Sequence, residues 1–452
     1  MESADKLTGR RVLVLGLGAS GAAAARLTRR LGASVTAVDS QSTEAAALRA
    51  AELTREGIDA RLGQTELPPG SFDLAVTSPG LPVDAPWLRE LGERGVLPIP
   101  ELELGWRYCS ARVLAVTGSN GKSTLVKLCA EALTTAGLRA VPCGNYGAPL
   151  SEIALAEPAP DWTVVEASSF QLEIVERFRP DVGVLFNLTP NHLDRHGDFA
   201  AYRRAKLKLF ARMTNNDTAV IGDDLAADAL AELSSAPRRV SFGAGPDAAW
   251  RWTPGALRGP GGACVACAGT PFDNEILGLT AAAACAAVAA CGVAPEAVGA
   301  ALRVFKSLPH RMQTVGEARG VRFVDNSKAT TLAALAAAVR MAGGPVRLIA
   351  GGMLKETDLT GVKKVLSKGV RAVYTIGKSS YALADAWSDA VPCVVCGDLR
   401  CAVDRAWKEA EAGEVILLAP GGASFDQFRG FDDRGNQFSE MVQLLIVRGE
   451  RQ

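Results

Sequence analysis

Basic residues do not outnumber acidic ones: 49 of each leave a formal net charge of zero. A general nucleic-acid binder carries a basic excess, so that class is set aside, although a few local cations could still hold an anionic substrate. Long apolar runs are missing too. The alanine-rich stretch Leu279 to Ala290 is too short for a bilayer, which takes about 20 apolar residues. No apolar core precedes the first strand in MESADKLTGRR, so no secretion signal is expected. The ten cysteines are scattered rather than set in a dense disulfide framework, which a chain of this size does not need. These absences point to the cytosol, with no nucleic acid and no membrane as partner. Two CxxC pairs, Cys264/Cys267 and Cys393/Cys396, lie too far apart in sequence for a compact zinc ribbon and sit in strand-like runs, where cysteine acts as a small hydrophobe.

What is present is a globular composition, 48% hydrophobic and 22% charged over 452 residues, a length that suggests about three domains. Apolar strand runs such as RRVLVLGLG, SVTAVD and FDLAVTSPG alternate with helical runs, the signature of a parallel sheet covered on both faces. The same rhythm returns in VLAVTG, DWTVVEAS, DVGVLFNLT and DTAVIGD, and again in VRFVDN, VRLIAGG, VRAVYTIG and VILLAPGG. An alanine-rich helical pair from Thr280 to Leu302 breaks at Gly292 and Pro295. The expected fold is α/β in three domains. A Rossmann-like N-terminal domain covers 1–103, a central P-loop-type ATPase domain with a mainly parallel sheet covers 104–306, and a Rossmann-like C-terminal domain covers 307–452.

The string TGSNGKST, Thr117 to Thr124, lies between a strand and a helix. Glycines let such a loop curl with its N–H groups inward, and the helix N-terminus adds positive potential for phosphate. Gly118, Asn120 and Gly121 form the curl, Lys122 would reach the outer phosphates, and Ser123 or Thr124 would ligate magnesium. Val116 stands where the strict Walker spacing asks for glycine, but the strand–loop–helix setting is right. A second Gly-Lys-Ser, at Gly377 to Ser379, follows VYTI with no other glycine or polar loop residue before it. It reads as an ordinary turn between strand and helix.

Gly16, Gly18 and Gly21 make a GxGxxG after the first strand, and Asp39 ends the second. The spacing fits a dinucleotide fingerprint, and by itself suggests NAD. Its physics asks only for a diphosphate near a helix N-terminus and ribose hydroxyls near the acid, so a UDP-sugar fits equally. A purely structural Rossmann unit is the third reading. Glu166 ends the strand in VVEASSFQLE, where loops gather at a parallel sheet's C-terminal edge and could meet metal held by the phosphate loop. His192 follows another strand end, and with His196 has the i,i+4 spacing of zinc ligands, but Pro190 and Gly197 leave little helix to present the pair. A single role for His192 at magnesium is the preferred reading. Lys206, Arg311, Lys328 and Lys355 are cations near strand ends, turns or a basic helix, each able to hold phosphate or carboxylate.

Taken together, GLGASG, TGSNGKST, GNYGAPL, EASSFQLE, NHLDRHG with YRRAKLKLF, LPHR, DNSKAT, GGMLK and SFDQFRGFDDRGNQF resemble the Mur ligase family of peptidoglycan synthesis. The last string is similar to its D-glutamate-adding branch. The resemblance implies an ATP-dependent ligase that phosphorylates the carboxylate of UDP-N-acetylmuramoyl-L-alanine and lets D-glutamate attack the acyl phosphate. By this resemblance Lys122 and Ser123 hold ATP phosphates and one magnesium, and Glu166 and His192 are metal ligands. Lys206 matches a lysine that the family carbamylates, helping to hold a second magnesium. Asn145, Asn274, Arg311 and Asn326 fall with the ATP contacts, and Lys328 with the acyl-phosphate side. Gly18, Ser20, Asp39, Ser78 and Gly80 match the UDP end, and Ser168 and Gln171 the muramoyl substrate. Thr330, Lys355, Ser424 and Phe431 match residues that hold the incoming glutamate. The chain is expected to act as a monomer.

The chain departs from the family's pattern at several places. Asn326 stands where aspartate is usual, Leu277 where a second asparagine would approach adenine, and Gln41 where many members are basic. Met353 and Leu354 replace small or charged residues before Lys355, beside the acceptor pocket. An acceptor other than D-glutamate is therefore the first alternative, and an oxidoreductase built on Gly16 to Asp39 the second.

Overall fold

The computed structural model describes residues 7–225, 231–233 and 236–449. It divides into two compact units, Met1–Phe305 and Lys306–Gln452. The first unit holds two sheets. Strands β1 (Arg11–Leu15), β2 (Ser34–Val38), β3 (Asp59–Arg61), β4 (Leu74–Thr77) and β5 (Pro98–Pro100) form a parallel sheet in the order β3-β2-β1-β4-β5. Val12 to Leu15 are fully buried, as expected of a strand covered on both faces. The order reverses beside β1, so the loops after β1 and β4 flank one crevice at the strands' C-terminal ends. Gly21 lies one turn into the following helix, Ala19–Arg30, where a Cβ would fall 1.7 Å from the Gly16 carbonyl oxygen. Glycine is thus required for close packing of helix on loop.

The second sheet has nine strands: β6 (Arg112–Thr117), β7 (Ala140–Gly144), β8 (Trp162–Glu166), β9 (Val182–Leu185), β10 (Thr218–Gly222), β11 (Arg238–Gly243), β12 (Trp250–Thr253), β13 (Ala256–Arg258) and β14 (Cys264–Ala266). Their order is β14-β13-β12-β11-β10-β9-β6-β8-β7, parallel except for the β12-β13-β14 meander. Central β6 is flanked by β8 and β9, so the segments after these three strands share one edge. Helix Lys122–Thr135 packs on this sheet and against helix Glu275–Ala290, where every residue from Ala281 to Val288 is buried. A helix apolar on all sides belongs inside, and its alanines let neighbours approach closely.

In the second unit β15 (Gln313–Ala318), β16 (Val321–Asp325), β17 (Val346–Gly351), β18 (Val370–Ile376), β19 (Cys393–Gly397) and β20 (Val415–Gly421) run in the order β15-β16-β20-β17-β18-β19. Only the β15-β16 pair is antiparallel. The segments after β16, β20 and β17 therefore lie side by side. The CxxC pairs fall at edge strands β14 and β19 of different sheets, and all ten cysteines are free. Three parallel-rich sheets give the α/β architecture expected from the sequence.

Replacing Gly21 with alanine should lower stability by about 1–3 kcal/mol, because backbone cannot yield as a side chain can. Urea unfolding of Gly21→Ala against the parent chain measures this; equal midpoints would contradict the packing.

Candidate active site

The phosphate loop leaves β6 at Thr117 and re-enters regular structure at Lys122. Gly121 has φ +78°, and a Cβ there would lie 2.6 Å from the Phe186 ring, so both conformation and space require glycine. Asn187, just beyond β9, braces the loop. Its Oδ1 accepts from the N–H groups of Ser119 (2.9 Å) and Asn120 (3.0 Å), and its Nδ2 donates to the Asn120 carbonyl (3.1 Å). Ser119 Oγ donates to the Thr189 carbonyl at 2.8 Å and accepts from Tyr202 Oη at 3.0 Å. Burial pushes the Tyr202 hydroxyl up to about 12. Lys122 Nζ folds back onto the carbonyls of Gly118 (2.9 Å) and Ser119 (3.1 Å). Thr124 continues the first turn of the helix, whose N–H groups have no intrahelical partner.

Glu166 ends β8 and is 3% exposed. Ser123 Oγ donates to its Oε2 at 2.5 Å, and Asn145 Nδ2 to its Oε1 at 2.6 Å. These three predicted residues thus meet in one cluster. Lys206 is 1% exposed, with Nζ 2.7 Å from the Gly118 carbonyl and 4.6 Å from the Tyr202 ring centre. Its amine is held well below the ordinary lysine range, first by burial and then by Lys122, against the pull of Glu166. His192 has φ +53° at the start of helix Leu193–His196, and its ring meets Phe170 edge-on at 4.9 Å. His196 is engaged elsewhere, with Nε2 3.0 Å from Ser169 Oγ and Nδ1 3.3 Å from Glu173. Both its ring nitrogens have protein partners, so the i,i+4 pair does not converge on zinc.

Among the described residues, no group of three or more His, Cys, Asp or Glu is arranged to hold a metal. Magnesium does not need one. It takes oxygen ligands, keeps several waters, and is usually held by one or two carboxylates plus substrate phosphates. The Ser123 hydroxyl and Glu166 carboxylate at the foot of the loop fit that donor set.

Other predicted residues hold the scaffold. Ser168 and Gln171 cap helix Ser169–Leu172 reciprocally. Asn274 caps helix Glu275–Ala290 through the Leu277 N–H, at 3.0 Å. In the first sheet, Asp39 Oδ2 accepts from Leu17 N–H (2.7 Å) and Oδ1 from Gln41 N–H (2.9 Å), while Ser78 Oγ donates to the Gly16 carbonyl (3.1 Å). Gly18, exposed, and half-buried Ser20 lie at the start of the next helix, and Gly80 lies exposed beyond Ser78.

In the second unit, the segments bearing Arg311 and Lys328 are tied together. His310 Nδ1 lies 2.6 Å from Asp325, Asn326 Oδ1 accepts the Met312 N–H at 3.1 Å, and Lys328 N–H donates to the His310 carbonyl at 3.2 Å. Lys328 Nζ sits 3.6 Å above the Phe431 ring. Arg434, not singled out within the SFDQFRGFDDRGNQF string, is fully buried and donates to Ser327 Oγ (2.9 Å), the Ser327 carbonyl (2.8 Å) and the Gly422 carbonyl (3.2 Å). Burial lowers its guanidinium to about 10, with Asp426 and Asp325 opposing. Thr330 is half-buried, Ser424 is buried and Lys355 is exposed, on the segments following β16, β20 and β17. The second Gly-Lys-Ser turn is occupied by its own protein: Asp426 Oδ2 accepts the Lys378 N–H at 2.8 Å.

A phosphate loop closing on a buried carboxylate, within three parallel-rich α/β sheets, defines a nucleotide-dependent enzyme of the P-loop type. Residues 116–271 match the Mur ligase middle domain and 310–422 the Mur ligase glutamate ligase domain. Over 98% of both chains, the protein is 39% identical to a UDP-N-acetylmuramoylalanine–D-glutamate ligase of Acidobacterium capsulatum. It is 38% identical to the same-named protein of Myxococcus xanthus, over 97% of this chain and 99% of that one. The solved UDP-N-acetylmuramate–alanine ligase of Thermotoga maritima superposes with a TM-score of 0.62 at 18% identity, covering 96% of this chain and 99% of that one. The chain belongs to the Mur ligase family. It is an ATP-dependent, amide-bond-forming ligase.

Because burial penalises its protonated form, Lys206 takes up fewer protons in the folded chain than in the unfolded one from its depressed value up to the ordinary 10.5. Stability should therefore rise with pH across that window. In buffer freed of carbon dioxide, urea midpoints should climb as pH rises toward 10.5 more steeply for the parent than for Lys206→Met. Parallel slopes would contradict a neutral buried amine.

Proposed function

We propose that the protein joins D-glutamate to UDP-N-acetylmuramoyl-L-alanine, with ADP and phosphate released, in peptidoglycan precursor synthesis. The observation that carries this reading is the Ser123–Glu166–Asn145 cluster under the phosphate loop. It occurs in a chain 39% identical, over nearly its whole length, to a protein bearing that activity's name. The substrate's terminal carboxylate oxygen attacks the γ-phosphorus of ATP, forming an acyl phosphate as ADP leaves. The uncharged amine of glutamate then attacks the carbonyl carbon, phosphate departs with the C–O bond's electrons, and the nitrogen gives up one proton to solvent to leave the neutral amide. Lys122 turns from the Gly118 and Ser119 carbonyls to the phosphates, and the helix N-terminus behind it favours their charge. Ser123, Glu166, His192 and a carbamylated Lys206 would hold magnesium at two positions, where it would supply charge neutralisation for the phosphoryl group.

Asn120, Asn145, Asn274, Arg311 and Asn326 are assigned to ATP, and Lys328 to the acyl phosphate. Gly18, Ser20, Asp39, Ser78, Gly80, Ser168 and Gln171 are assigned to the UDP-linked substrate, and Thr330, Lys355, Ser424 and Phe431 to glutamate. Asp39 accepts one N–H on each oxygen, which leaves lone pairs on both for ribose hydroxyls. The same reading places the enzyme in the cytoplasm as a monomer; no helix among the described residues is long and apolar enough to cross a membrane. Met353 is 41% exposed on the segment before Lys355.

Phosphate release from ATP with UDP-N-acetylmuramoyl-L-alanine should be stimulated by D-glutamate and by L-glutamate at least about tenfold less, the discrimination expected of a stereospecific pocket. Stimulation by no amino acid would refute the ligase, and Lys122→Ala should abolish turnover.

A low, desolvated amine can attack carbon dioxide, forming an N–C bond and releasing a proton to leave a carbamate anion. Activity should therefore fall on removal of carbon dioxide and return with bicarbonate, and native mass spectra should show the added carbon dioxide on the parent but not on Lys206→Met. Unchanged activity and an unmodified mass would overturn the carbamate.

A further inference from the structure

Arg195, in the DRHG string, has no task in the chemistry above. Arg195 is 14% exposed at its side chain and uses its guanidinium on two sides. Nε and Nη2 engage the Glu173 carboxylate, the latter at 2.6 Å. Nη1 donates to the Pro79 carbonyl at 3.2 Å, and Nη2 to the Leu81 carbonyl at 3.0 Å. The guanidinium also lies 4.1 Å from the Phe170 ring centre, the ring that His192 meets at 4.9 Å. One planar cation thus joins the turn after β4 to the segments after β8 and β9.

That turn is anchored at its other end as well. Ser78 N–H donates to the Leu15 carbonyl and Ser78 Oγ to the Gly16 carbonyl, so its first residue follows the glycine loop after β1. Its far side, Pro79 to Leu81, follows Arg195. Glu173 in turn is fixed by His196 at 3.3 Å and by Lys208, whose Nζ donates to the Glu173 carbonyl. A fork of five donors suits this arrangement, since a lysine ammonium could reach the carboxylate but not both carbonyls in the same plane.

We propose that Arg195, with Glu173, is a positioning residue. It sets the nucleotide-linked substrate's turn at a fixed distance from His192 and the strand end carrying Glu166. This rests on the reading that Ser78 and Gly80 hold the UDP-linked substrate. Arg195 touches no reacting atom in this scheme. Its loss would displace one substrate and spare the other, because the Asn187 brace of the phosphate loop shares none of its contacts.

The test is calorimetric binding of UDP-N-acetylmuramoyl-L-alanine and of a non-hydrolysable ATP analogue to the full chain and to Arg195→Ala and Arg195→Lys, with thermal midpoints recorded alongside. For the UDP-linked substrate, Kd should rise about tenfold or more in both variants, while the ATP analogue should stay within about twofold. Should Arg195→Ala fail to fold, Arg195→Lys, which keeps the ion pair with Glu173, carries the comparison. Full restoration of affinity by lysine, or equal weakening of both ligands, would overturn the positioning role. A parent chain that binds the ATP analogue but not the UDP-linked substrate would refute the reading of the Ser78 turn, and the inference with it. A parent that binds both, with variants that bind equally, would refute Arg195's role alone.

Discussion

A carboxylate 3% exposed needs donors on both oxygens, and Glu166 takes them from Ser123 on one side and Asn145 on the other. That contact fixes the foot of the phosphate helix to the end of β8, and β9, on the other side of β6, brings in Asn187 to hold the loop's outer curve. Lys206, buried above the Gly118 carbonyl, is the next dependent. It feels Glu166 as a favourable charge and Lys122 as an unfavourable one, and burial outweighs both. The cluster therefore places a hydroxyl, a carboxylate and a depressed amine around one loop.

The same edge logic serves each sheet. In a parallel sheet the strands' C-terminal ends collect the loops, and adjacency across the sheet decides which loops meet. β6 lies between β8 and β9, so residues far apart in sequence share one loop cluster. β20 lies between β16 and β17, which sets the segments of Thr330, Ser424 and Lys355 along one edge of the second unit. Arg434 then ties two of these segments together through Ser327 and Gly422, a buried cation satisfied by oxygens rather than by one counter-ion.

Strands β1, β6, β8 and β9 were legible because burial on both faces makes each a short apolar run. β7 was not: AVPCG carries Pro142, which survives because β7 is an edge strand. β11 to β13 contain arginines and mix exposed or half-buried positions with a few buried ones such as Phe242, Trp250 and Leu257, so their pairing depends on neighbours more than on local pattern. At the site, Lys122, Ser123 and Glu166 stood out as strand-end or loop residues of the right chemistry. Asn187 and Arg195 did not, since their partners lie 67 and up to 116 residues away and an asparagine or arginine in a polar string carries no mark of what it braces. Ser168 and Asn274 each cap a helix, a task the sequence strings did not mark, since the same side-chain oxygen suits a cap or a ligand.

The two Gly-Lys-Ser turns show why setting outranks spelling. Both join a parallel strand to a helix, and a helix start attracts an anion in either case. At Gly377 the anion is internal: Asp426 takes the Lys378 N–H, and a Cβ on Gly377 would fall 2.3 Å from that same carboxylate. The glycine there makes room for a protein side chain. At Gly121 the glycine makes room for the Phe186 ring, which backs the loop from below. The nearby carboxylate, Glu166, is bound to the Ser123 hydroxyl and to Asn145 rather than to a loop N–H. A turn that supplies its own anion has no use for phosphate. A turn whose acid is held by a hydroxyl can share that acid with a metal, and this difference separates a structural turn from a site for ATP.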